Sequence, residues 1–242
     1  MTHPTSSATQ GSQQLYARIS GFLYLVVMAA FVTPVAIISG FAAPGDFAQT
    51  AENVLASETL YRAALALWVF GVAGIILLGG SLYALLRQVS ADLALVALLL
   101  RVAEAAFLGV GVIIRFAVLK NYAGAATDPS AAESLHQLMS SAIGASSYVS
   151  FVCLSAGSTI FFFLLLRSRY LPRALAGFGV LASVLLSAAS FAYLLFPQQV
   201  ASLGMVVLAP MFIAEVGAGC WLLIAGANIK YPSSKVVHEP PS

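Results

Sequence analysis

An all-α, polytopic membrane protein is what this sequence predicts: a bundle of six transmembrane helices with both termini cytoplasmic. Four observations point to it. Of 242 residues, 60% are hydrophobic and only 8% charged, against about 25% charged in a soluble domain. The mean hydropathy is +0.95. Six apolar runs reach the length of about 20 residues that a helix needs to cross the hydrocarbon. The basic residues collect at alternate ends of those runs, as the positive-inside rule requires.

The elements follow in order. Residues 1–15, MTHPTSSATQGSQQL, are polar and lack basic residues, and are expected as a disordered cytoplasmic tail. The apolar run that follows is too long for a cleavable signal peptide, so it reads as a retained span. The six-span membrane domain then covers residues 16–228, with spans near Tyr16–Gly40, Tyr61–Arg87, Ala91–Lys120, Ile143–Arg167, Leu171–Phe196 and Gly204–Asn228. Residues 229–242 form a second cytoplasmic tail.

One end of the bundle holds Arg18, Arg87, Arg167, Arg169, Arg173, Lys230 and Lys235. The other holds Arg62 and Lys120, with Asp46, Glu52, Glu58, Asp128 and Glu133. The first end is therefore the cytoplasmic one. Its connections, RQVSAD and RSRYLP, are short and imply tight helical hairpins. The outer connections are longer. Between Asp46 and Ser57, Phe47, Ala51, Val54 and Leu55 recur at helical spacing, which suits a helix lying on the interface. Ser130 and Glu133 have capping-box spacing, and Ser130–Met139 reads as a second interfacial segment. Pro34 and Pro210 fall in the first and last spans and read as kinks. Glycines such as Gly71, Gly74, Gly217 and Gly219 let helices approach closely.

Against this background four charges stand out. Arg101, Glu104 and Arg115 lie inside the third span and Glu215 inside the sixth. Even the lenient insertion scale charges roughly 2.5–3.5 kcal/mol for each at a bilayer centre. At 100° per residue, Arg101, Glu104 and Arg115 share a stripe with Leu108 and Val112. Arg115 is near enough to Lys120 to snorkel outward and reads as an interfacial anchor. Arg101 lies about 15 Å from the inner end at 1.5 Å per residue, beyond snorkelling reach. Arg101, Glu104 and Glu215 are therefore a candidate buried polar cluster, paired as Arg101–Glu215 or Arg101–Glu104. It reads either as a fastener between spans three and six or as a polar site with a protonatable acid.

Other chemistry has no motif here. The histidines His3, His136 and His238 fall in tails and an outer loop, so no transmembrane haem ligation and no metal site is expected. No HExxH, Walker A loop or dinucleotide fingerprint occurs, and no cofactor is expected. Cys153 and Cys220 read as packing residues. Serines crowd the fourth span, at Ser146, Ser147, Ser150, Ser155 and Ser158. With no buried histidine as base they read as backbone-bonding or packing residues, not as a protease. The small net charge of +2 gives no reason to expect nucleic acid. The lipid bilayer is the evident partner, a homo-oligomer is left open, and the sequence names no small-molecule ligand.

Several stretches, taken together, carry a family resemblance: ARISGFLYLVV, PGDFAQTAENVLASETLYR, LLRVAEAAFLGV, LLLRSRYLPRALAGFGVL and LAPMFIAEVGAGCWLLIAG. The chain resembles, from about Ala17 to Gly226, the bacterial membrane family catalogued as domain of unknown function 4386. The R-S-x-Y-L-P-R hairpin and the P-x-x-x-x-E of the last span are the more specific parts. The resemblance implies a multi-pass protein of the bacterial cytoplasmic membrane and brings no established activity. Members often carry Pro where this chain has Gln88, and a histidine near the position of Gly157. The functional expectation is a small-solute or proton-coupled transporter. The alternative is a structural or partner-binding membrane protein whose buried charges only fasten helices. No enzymatic motif is present.

Overall fold

Hydrocarbon offers no hydrogen bonds, so a chain this apolar must satisfy its backbone within helices. The computed structural model describes residues 5–125, 127–200 and 206–228, and among these there is no strand. The helices are α1 (Thr5–Ser39), α2 (Phe47–Ala56), α3 (Glu58–Leu86), α4 (Ala91–Gly124), α5 (Pro129–Ser168), α6 (Arg173–Leu195), the short α7 (Pro197–Val200) and α8 (Ala209–Ile224). Six of them are long and apolar enough to cross a membrane: α1, α3, α4, α5, α6, and α8 together with the turn from Val206.

The spanning helices form a ring. Each packs mainly on two neighbours, in the order α1, α3, α4, α5, α6, α8 and back to α1. The outer faces are apolar and bare, with Ile113, Leu195 and Ile224 each at least two-thirds exposed. Such a surface is stable only against lipid. One core fills the end of the ring nearest the described termini, built on Leu78, Leu82, Leu85, Phe161, Phe162 and Leu165. A second core, around Tyr61, Leu65, Val118 and Tyr122, closes the opposite end beneath α2.

The ring closes where α1 meets α8. A Cβ built on Gly21 would overlap the Leu223 nitrogen and stand 2.7 Å from the Gly219 oxygen. Only glycine allows that backbone-to-backbone approach. At the same end, the Gln14 side chain donates to the Ala227 carbonyl (2.7 Å) and accepts from the Ala227 N–H (3.1 Å). Gln13 bonds Gln88 and the Tyr170 hydroxyl, and the Asn228 N–H donates to the Tyr170 carbonyl (3.2 Å). The two described ends of the chain therefore lie together.

These contacts correct one expectation. Residues 5–15 are helical, continuous with the first span, and are not a disordered tail. The polar character of Gln13 and Gln14, which suggested a solvated tail, serves the joint to Tyr170 and Ala227. The expected tail at residues 229–242 lies outside the described residues, as do residues 1–4.

The connections differ from expectation in one more place. The segment from Asp46 does form a helix, α2, with the Asp46 carboxylate accepting from the Gln49 N–H at its start. Ser130–Met139, by contrast, is no separate segment: it is the first part of a 40-residue α5. The cap is Asp128, which accepts from the Ala131 N–H (3.0 Å), so Ser130 and Glu133 do not form a capping box. Pro129 sits in the first turn, where a missing N–H costs nothing. α1 continues through Pro34, and Pro210 lies in the first turn of α8.

Candidate functional site

The stripe on α4 faces the middle of the ring. Arg101, Glu104, Leu108, Val112 and Arg115 all line one cavity of about 490 Å³. Its other walls come from α1, α3, α5 and α8, through residues such as Val27, Phe31, Trp68, Phe151 and Met211. The size is ordinary for a small-molecule pocket. The cavity reaches the surface at Val32, Val35 and Phe212, which are exposed.

At its deep end Arg101, Glu104 and Glu215 are 2%, 3% and 1% exposed. Arg101 Nη1 is the hub. It lies 3.1 Å from Glu104 Oε2 and 3.5 Å from Glu215 Oε1. It also donates to the Ser158 hydroxyl at 3.3 Å, and that hydroxyl donates on to Glu215 Oε1 at 3.4 Å. The cluster thus joins α4, α5 and α8. With both acids ionised it carries one net negative charge; with one proton on either acid it is neutral.

The pairing is incomplete. Glu104 Oε2 is close to the guanidinium but off its N–H direction. Neither it nor Arg101 Nε makes a hydrogen bond among the described residues. Both are buried, and a buried polar atom left unmatched costs about 1–3 kcal/mol or more.

The sequence explains how Arg101 fits. Its stem runs between two glycines: a Cβ on Gly79 of α3 would meet the Arg101 Cβ at 3.2 Å, and one on Gly157 of α5 would meet its Cδ at 3.6 Å. Two serines hold α5 to α4. Ser150 donates to the Glu104 carbonyl (3.2 Å) and Ser146 to the Phe107 carbonyl (2.5 Å). Ser147 and Ser155 bond their own helix instead.

Arg115 is the fourth charge. Its guanidinium lies over the Trp68 ring, 4.4 Å from the centroid, and donates to the Gly111 carbonyl (3.3 Å). It lines the same cavity as the cluster, a position compatible with the anchor at the interface that the sequence suggested. No carboxylate pairs with it among the described residues. Trp68 and Ser158 had no part in the sequence-based site. The serine was visible as one of a set spaced in multiples of four residues, at 146, 150 and 158. Nothing in the sequence distinguished the serine that meets the cluster from those that bond backbone.

The fold and the cavity define a class: a multi-pass helical membrane protein with a pocket among its spanning helices, lined by hydrocarbon and a few charged side chains. The chain belongs to the family described as domain of unknown function DUF4386, which matches residues 19–226. No curated protein and no solved structure is detectably similar to it.

Proposed function

We propose that this protein is a carrier in which solute occupancy of the cavity is linked to proton uptake at Glu104 or Glu215, with Arg101 as the shared partner of both acids. The observation that carries the reading is the position of the cluster. It borders a cavity instead of sealing a helix seam, and it leaves Glu104 Oε2 and Arg101 Nε unmatched. Two acids share one guanidinium, Glu215 hydrogen-bonded to it and Glu104 merely close, and a proton on one acid favours pairing with the other. We place the protein in the bacterial cytoplasmic membrane with both termini inside, on the distribution of arginine and lysine between the two ends.

A second reading rests on the near-complete burial of the same three side chains. Arg101, Glu104 and Glu215 would then be a clamp holding α4 and α8 across the ring. Proteoliposomes with a trapped pH dye separate the two. Short-chain alkanesulfonates and amino acids are suitable probes because they do not cross a bilayer as neutral acids. A carrier moves protons when a probe is added, and Glu215→Gln abolishes this with the melting temperature retained. Absence of proton movement with every probe, together with a large fall in melting temperature for the Glu104→Gln, Glu215→Gln double variant, supports the clamp.

A further inference from the structure

We infer that the cavity binds an amphipathic monoanion, its charged head at Arg115 over Trp68 and its apolar body extending inward toward the Arg101 cluster. The inference shares the cavity with the carrier reading and names its ligand class. It does not depend on the proton-linked acids.

Three observations combine. First, Arg115 is the cation in this cavity without a carboxylate partner among the described residues, while Arg101 already has two. A guanidinium held in a cavity wall by an aromatic face and one carbonyl retains free N–H donors for an anion. Second, the surface between the two arginines is hydrocarbon: Val27, Phe31, Leu108, Val112, Phe151 and Leu154. Arg101 and Arg115 are 14 positions apart on α4, about 21 Å along the axis at 1.5 Å per residue. A compact polar solute would leave most of that wall against nothing, whereas an alkyl or aryl body covers it. Third, the cavity reaches the surface through Val32, Val35 and Phe212. Those apolar residues belong to the lipid-facing side of α1 and α8, so an amphiphile already dissolved in the bilayer can enter without crossing water. A single-chain carboxylate and the head and one chain of an anionic phospholipid share this chemistry.

Trp68 supplies the readout. It is buried, so bulk lipid does not touch it, and the chain has one other tryptophan, Trp221. With Trp221→Phe as background, Trp68 fluorescence is measured against a bromine-tagged medium-chain fatty acid, at a pH where the carboxyl is ionised. The same titration is run with its uncharged bromine-tagged amide and with bromine-tagged phosphatidylglycerol. The expected result is saturable quenching by the fatty acid, with the amide weaker. Arg115→Gln should weaken the fatty acid by about tenfold or more, and Arg115→Lys should restore much of the affinity. Preferential, saturable quenching by the phosphatidylglycerol makes bilayer lipid the source and supports the proposal equally. No quenching by any probe, or equal quenching by acid and amide that Arg115→Gln leaves unchanged, overturns it. Glu104→Gln and Glu215→Gln should keep the quenching. Binding that survives both, alongside proteoliposomes that move no protons, would uphold this inference and sink the carrier.

Discussion

Arg101 and Glu215 meet across the middle of the ring, Nη1 to Oε1 at 3.5 Å, although their helices α4 and α8 are not neighbours in it. The seams between ring neighbours combine apolar contact and small-residue packing with neutral hydrogen bonds, such as those of Ser146 and Ser150 between α5 and α4. The Arg101–Glu215 contact is ionic, shared with Glu104 and relayed by Ser158. A ring held apart at its centre by a cavity has one polar tie across it, and that tie is made of groups that can exchange a proton.

Charge balance makes the effects of removing the acids unequal. Either Glu104→Gln or Glu215→Gln leaves one guanidinium facing one carboxylate, so each alone should cost under about 1 kcal/mol. The double substitution strands Arg101 as an unpaired buried cation, and breaking a buried pair costs roughly 3–5 kcal/mol. The double-mutant cycle should therefore be strongly non-additive. Reversible unfolding of the four proteins in micelles measures it, and additive single effects would refute the shared-partner geometry.

Gln14 should matter far more than its place in a polar N-terminal segment suggests. Gln14→Ala removes both hydrogen bonds to Ala227 and leaves its N–H and carbonyl without those partners, at a cost of about 1–3 kcal/mol. Hydrogen exchange at the Ala227 amide should accelerate, with the amides of the α4–α5 seam unchanged. An unchanged Ala227 rate would show that the joint does not hold the end of α8.

How much of this was legible in the sequence follows from what each feature demands. The spans were readable because lipid requires an uninterrupted apolar run, and α6 begins and ends within two residues of its expected limits. The α4 stripe was readable because 100° per residue fixes which side chains share a face. Ring order was not readable, since apolar helices in lipid carry little sign of which neighbour they choose. Gln13 and Gln14 were misleading because glutamine in a polar segment looks the same whether it faces water or a backbone amide. The distance of Arg115 from Lys120 was readable, but its place in the cavity wall was not: Trp68, over which it lies, is 47 positions away in the sequence, and only tertiary structure brings the two together.

Asp128 gives a pH-dependent helix start. Bonds from the Ala131 N–H and the Ser130 hydroxyl hold its carboxyl below the ordinary aspartate range. Because the folded value lies below the unfolded one, the cap contributes fully above about pH 4. The contribution is lost as pH falls through the depressed folded value. Hydrogen exchange at Ala131, corrected for its intrinsic rate, should show less protection on going from about pH 6 to about pH 2. Asp128→Asn keeps the capping geometry without titrating, so its protection should stay flat. A pH dependence that persists in the asparagine variant would place the titrating group elsewhere.

The glycines of the α1–α8 contact should separate sharply from glycines elsewhere. A methyl group on Gly21 would overlap the backbone of α8, at Leu223 and Gly219, where no side chain can swing aside. Gly21→Ala must push the two helices apart, and forced overpacking of this kind costs about 1–3 kcal/mol. A methyl group on Gly80 of α3 would meet nothing within 4 Å, and alanine is the better helix former by about 1 kcal/mol. Gly80→Ala should thus leave stability unchanged or raise it slightly. Because α8 carries Glu215, the displacement in Gly21→Ala should also lengthen the 3.5 Å contact to Arg101. Combining Gly21→Ala with Glu215→Gln should then cost less than the sum of the two. Equal effects of Gly21→Ala and Gly80→Ala would mean that the α1–α8 approach is looser than the backbone contact implies.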